Sequence, residues 1–221
     1  MVLGEDLKVC LEYTVHTHQE TSSDNMATIA PPISLPPGNE YINVKMINPV
    51  NFGPAILQRF MAPAVPNLET FKSSPSLSFL LEHPSGRKLV FDLGIRKDFS
   101  NYAPSIRDYL PTTKYKIDIE NDVAATLRAQ QVSPESIEAV IWRQAVSEIC
   151  DLEHKLTSTG SHWHWDHIGD PSTFPSSTAL IVGPGFKKAM LPGAPANPNS
   201  PILESDYTCV NQARILTVAD T

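Results

Sequence analysis

Residues 162–167 read His162-Trp163-His164-Trp165-Asp166-His167, three histidines and one aspartate in six positions. Two histidines at i and i+2 cannot share a helix face, because helical neighbours are three or four apart. In an extended segment alternate residues point the same way. His162, His164 and Asp166 then aim together, and His167 turns off beside them. Imidazole nitrogens and a carboxylate oxygen are donors that suit zinc or iron. A solvated loop is the plain reading of a lone histidine, whereas four ligand-type residues at this spacing point to a metal site. His16 and His18 repeat the His-x-His spacing near the start of the chain and read as solvent-facing.

Bulk properties narrow the field. The 221 residues suffice for one substantial domain or two small ones, and 41% apolar content supports a globular core. A net charge of −7 without a basic cluster argues against a nucleic-acid partner, since phosphate binding needs concentrated Lys and Arg. Cys10, Cys150 and Cys209 lie far apart and form neither zinc-ribbon spacing nor a disulfide framework, which suits a reducing compartment. Met1 to Lys8 mixes charges without an apolar run, so no leader is expected. No stretch has the length of a membrane span. The expected location is the cytoplasm, with no membrane partner.

The elements that must position the motif follow from periodicity. Residues 1–38 carry Ser22-Ser23-Asp24-Asn25, Pro31-Pro32 and Pro36-Pro37-Gly38 and read as a flexible N-terminal segment. Tyr41 to Ile47 alternates apolar and polar residues and predicts a half-buried strand. Leu77–Leu81 and Leu89–Leu93, joined by Pro84-Ser85-Gly86-Arg87-Lys88, predict a β-hairpin. Asp92 stops the second strand; it either caps the following loop or supports the metal site from behind. Tyr102 to Lys116 shows no clean period. Ile119, Val123, Ala124 and Leu127 fall on one face of a helix over Asp118–Gln131. Ser133–Ser136 turns, and Ile137–Trp142 is a short buried strand. Helix, turn and strand in that order predict an α/β layered fold. The apolar stretch 49–66 either packs over a sheet edge or lines the entrance to an apolar pocket. The proline-rich stretch 184–201 predicts a long irregular surface loop.

Phe91-Asp92-Leu93-Gly94, the strand Ala139-Val140-Ile141-Trp142 and Ser161-His162-x-His164-x-Asp166-His167-x-Gly169 together resemble the N-terminal half of the metallo-β-lactamase superfamily. Ser before the first His and Gly two after the last are similar to its lactonase-like branch, which includes N-acyl homoserine lactonases and related fungal hydrolases. The resemblance covers residues 41–205. It implies an αββα sandwich, of which residues 39–221 form the N-terminal half only. It implies His162 and His164 on one zinc and Asp166 and His167 on a second, two zinc ions per complete site. It further implies a metal-activated hydroxide, oriented by Asp166, attacking the carbonyl of a small-molecule ester or lactone. Thioester hydrolysis is the runner-up chemistry, and an inactive truncated product is the non-enzymatic alternative. The family completes its site with a later His, a bridging Asp and a final His; here no His follows His167, and Asp170, Asp206 and Asp220 are the carboxylates of that kind that remain. Arg143–Gly160 separates the strand from the motif and reads as an insertion, either a surface loop or a retained intron.

Overall fold

The computed structural model describes residues 7–8, 41–59, 63, 65–142, 165–183, 186–208 and 215–217. The segment 143–160, His162 and His164 lie outside the described residues, as does most of the 1–38 segment.

One mixed sheet dominates. Its strands are β1 (Leu7–Lys8), β2 (Asn43–Gly53), β5 (Ser74–Glu82), β6 (Lys88–Phe91), β8 (Ala139–Ile141), β9 (Ala179–Val182) and β10 (Ile215–Thr217), in that spatial order. β7 (Lys116–Ile117) pairs with the far end of β2. The first four are antiparallel, and β6, β8, β9 and β10 run parallel. β3 (Ala55–Ile56) and β4 (Thr70–Phe71) form a separate two-stranded ribbon. The helices are α1 (Pro104–Thr113), α2 (Val123–Ala129), α3 (Phe186–Met190) and α4 (Glu204–Thr208).

The expected hairpin forms, with Leu80 opposite Val90 and Phe79 opposite Phe91. Directly opposed residues share a face, so register sorts the side chains. Leu80, Val90, Val140 and Leu180 lie side by side and are buried with Val123, Ala124 and Leu127 of α2 in one core. On the other face Met46, Phe79, Phe91, Ile141 and Ile181 form a second row. That row is half-buried at Phe79, Phe91, Ile141 and Ile181 and exposed at Met46.

Three boundaries differ from the sequence expectation. The helix expected over 118–131 spans only Val123–Ala129, because Asp122 is extended (φ −72°, ψ 176°) and its carboxylate accepts from Ala125 N, at 2.7 Å. This is an N-cap, and Ile119 falls outside the helix. Asp122→Ala should therefore cost about 1 kcal/mol, read as a lowered urea midpoint at unchanged m-value. The stretch 102–116, aperiodic by eye, contains α1. Pro104 opens the helix where a missing N–H costs nothing; Ile106 and Leu110, one turn apart, supply its buried face. The 184–201 stretch is not a surface loop throughout. Phe186, Met190 and Ala194 are buried, and Ser200 Oγ donates to Met190 O. Its prolines break up regular structure without preventing burial of the apolar residues between them.

The 49–66 stretch divides. Pro49 to Gly53 belongs to β2, and Phe52 is buried against the rings of Phe71, Tyr115 and Trp165. Ile56 and Val65 beyond it are exposed. Phe52 thus packs against Trp165, the second tryptophan of the histidine-rich stretch.

Candidate metal centre

Asp166 and His167 sit on a turn over residues 165–168, tied to the residues that follow the parallel strands β6 and β8. Loops after the carboxyl ends of parallel strands are where α/β sheets gather ligand groups. His167 Nε2 lies 3.6 Å from Asp166 Oδ2, and both side chains are about one-fifth exposed. His167 Nδ1 is 2.5 Å from Asp92 Oδ2.

Asp92 explains this orientation. It directly follows β6, its N–H continues the ladder onto Ile141 O, and it is buried in the left-handed region at φ 69°. A non-glycine residue held there carries strain that the surroundings must offset, a condition common at functional sites. One carboxylate oxygen accepts from Gly94 N at 2.9 Å and the other meets His167. The side chain caps its own loop, one of the two readings offered from sequence, and it also meets His167. The tautomer that satisfies Asp92 carries its proton on Nδ1, leaving the Nε2 lone pair facing Asp166. This carboxylate–histidine arrangement fixes ring orientation at metal sites.

The backbone of the loop is held with equal care. Trp165 O accepts from the Tyr102 hydroxyl (3.0 Å). Asp166 O accepts from Ser76 Oγ (2.5 Å), and His167 O from Leu93 N (3.4 Å). Ile168 O accepts from Trp142 Nε1 (2.8 Å), and Gly169 O from Arg96 Nε (2.8 Å). Five consecutive carbonyls, none in regular structure, are each bound by a donor from outside the turn. Buried backbone must be satisfied somewhere; here the partners also pin the two donor side chains. Gly169 N closes the turn on Gly94 O at 2.9 Å. Burial pushes the Tyr102 phenol well above its usual range, so it stays a donor.

Sequence reasoning named Asp166 and His167, with His162 and His164 outside the described residues, and offered Asp92. It missed Ser76, Tyr102, Arg96 and the role of the Trp142 indole, which no local pattern signals. Asp206, left over as a carboxylate after the motif, is engaged by Arg96 (2.5 Å), and Asp170 lies 3.8 Å from the same guanidinium. Among the described residues no group of three or more His, Cys, Asp or Glu converges on one point. The pair present fits zinc in kind: one imidazole nitrogen with its other nitrogen braced by a carboxylate, and one carboxylate oxygen beside it.

Asp92 and Asp166 thus flank His167 at the strand ends of a mixed α/β sheet. Fungal relatives of the chain are named γ-lactamase and metallo-hydrolase, in line with the resemblance to the metallo-β-lactamase superfamily. Over 185 residues the chain is 34% identical to a γ-lactamase of Fusarium pseudograminearum, covering 81% of this chain and 40% of that protein. Over 183 residues it is 32% identical to a metallo-hydrolase of Annulohypoxylon moriforme, covering 80% of this chain and 42% of that protein. Among solved structures, an N-acyl homoserine lactone hydrolase with N-hexanoyl-L-homoserine at its catalytic metal centre aligns at TM-score 0.49 and 14% identity, over 79% of this chain and 58% of that one. No family model matches the chain. The chain spans about two fifths of the length of these two fungal relatives. No helix among the described residues is long and apolar enough to cross a membrane.

Proposed function

We propose that this chain carries the first ligand cluster of a zinc-dependent hydrolase that opens a small-molecule ester or lactone. The observation that carries the reading is the Asp92–His167 bond beside Asp166, on a turn whose five carbonyls are all held. In this reading Asp166 and His167 hold one zinc, and His162 and His164 hold the other. Zinc supplies Lewis-acid activation of water and polarisation of the substrate carbonyl. The protein's part is to keep the His167 proton on Nδ1 through Asp92, to keep the Asp166 carboxylate facing Nε2, and to hold both on a turn that cannot drift. Residues 39–221 are then the N-terminal half of an αββα domain, with 143–160 an insertion before the motif. A cyclic amide is the second substrate class, favoured by the γ-lactamase name of the Fusarium relative.

The test is zinc retention and ring opening measured together. The chain should keep zinc through desalting and hydrolyse γ-lactones or γ-lactams in a chelator-sensitive way. Asp166→Ala and His167→Ala should each lower zinc affinity by at least tenfold and activity by about a hundredfold or more. Zinc content no higher in the unaltered chain than in the Asp166→Ala, His167→Ala double variant rejects the metal reading. Zinc retention without ring opening rejects the hydrolytic one.

A further inference from the structure

Arg96 stands four residues past Asp92 and is buried, with a guanidinium 1% exposed. Its donors go to three separate segments. Nε donates to Gly169 O at 2.8 Å, Nη1 donates to Asn101 O, and Nη2 donates to Asp206 Oδ1 of α4 at 2.5 Å. Its backbone N–H donates to the Tyr102 hydroxyl oxygen at 2.7 Å, and that hydroxyl donates to Trp165 O. The guanidinium also lies 5.4 Å from the centre of the Tyr102 ring. One residue therefore reaches both ends of the turn 165–169, directly at Gly169 and through Tyr102 at Trp165.

Burial disfavours charge on Arg96, but the carboxylates of Asp206 and Asp170 outweigh it and hold its pKa above the usual value. Burial likewise holds the Asp206 carboxyl above its ordinary range against the pull of Arg96. A buried ion pair is poor evidence for stability, because desolvation offsets the attraction. A hydrophobic residue would fill the space as well. It could not bind the Gly169 carbonyl, the Asn101 carbonyl and Asp206 at once, which needs the planar fork of arginine.

We propose that Arg96, locked by Asp206, is a positioning residue that sets the backbone bearing Asp166 and His167 and so couples α4 to the zinc affinity of the motif. The functional consequence rests on the metal reading above; the positioning itself does not.

The experiment uses the full chain, Arg96→Lys and Asp206→Asn. Site-resolved amide hydrogen exchange is measured without metal, and zinc is titrated separately. Lysine reaches one acceptor where arginine reaches three. The Gly169 and Leu93 amides, which bond to Gly94 O and His167 O, should exchange about 10–100-fold faster in Arg96→Lys. The β8 and β9 amides of Val140 and Leu180 should keep their rates, since local opening is independent of global unfolding. Zinc dissociation constants should rise about 10–100-fold. Asp206→Asn, which retains a neutral acceptor, should show the same pattern to a smaller degree and serves if Arg96→Lys does not fold. Unchanged loop rates, or strand rates that rise by the same factor, overturn the positioning role. Faster loop exchange with unchanged zinc affinity overturns the coupling. If the unaltered chain takes up no zinc, the metal reading fails, and with it the coupling, while the exchange rates still decide the positioning.

Discussion

Asp92→Asn should leave the sheet intact and weaken zinc binding about 10–100-fold. The substitution is isosteric. An asparagine oxygen can still accept from Gly94 N, as Asp92 Oδ1 does at 2.9 Å. The amide nitrogen that replaces Oδ2 donates rather than accepts. It meets His167 Nδ1 at the present 2.5 Å separation only if that nitrogen gives up its proton. The proton then moves to Nε2, the atom facing Asp166, and the lone pair a metal would use is lost. Asp92→Ala should do worse, because it also leaves Gly94 N without its partner inside the protein. The readouts are a zinc titration and the imidazole nitrogen shifts of His167, which report the tautomer directly. A His167 that keeps its Nδ1 proton in Asp92→Asn, with zinc affinity unchanged, would remove Asp92 from the site.

Gly169→Ala should cost about 2–5 kcal/mol. Gly169 has φ +51°, in the left-handed region where a Cβ costs about 1–2 kcal/mol. A Cβ there would also stand 2.3 Å from Leu93 Cβ and 2.5 Å from Leu93 O. The backbone has no room to yield, because Gly169 N is bonded to Gly94 O and Gly169 O to Arg96. Overpacking of that kind adds about 1–3 kcal/mol. The matched control is Gly86→Ala, at φ +89° with nothing within 4 Å of the new methyl. That variant should pay only the backbone term. The comparison is made by denaturant unfolding, and equal losses at the two positions would show that Leu93 does not pack against the turn as described. Because Gly169 follows His167 by two residues, the loss at this position should carry zinc affinity with it, whereas Gly86→Ala should leave zinc affinity alone.

The core and the donors differ in how far sequence reaches them. Leu80, Val90, Val140 and Leu180 announce themselves as alternating or continuous apolar runs, and the register of the hairpin follows from its turn. Helix α1 hid behind Pro104 and Pro111, since proline interrupts the eye's search for a period while tolerating a helix start. Helix α2 was legible as a face but not as a length, because its first residue is decided by whether the Asp122 side chain can reach Ala125 N. The 184–201 stretch misled because proline density reports broken hydrogen bonding and says nothing of burial.

The sequence alone determined which side-chain types stand together: Asp166 and His167, their spacing from His162 and His164, and an aspartate ending the strand beside them. Those are covalent facts, and helix or strand geometry over a few residues suffices to read them. Only the tertiary structure decided what holds the donors still. Ser76 lies 90 residues from the carbonyl it binds, Arg96 lies 73 from its own, Tyr102 lies 63 and Trp142 lies 26. No periodicity links positions that far apart. The need arises because the turn 165–169 has carbonyls with no ladder to join, and buried carbonyls must find donors wherever the fold brings them.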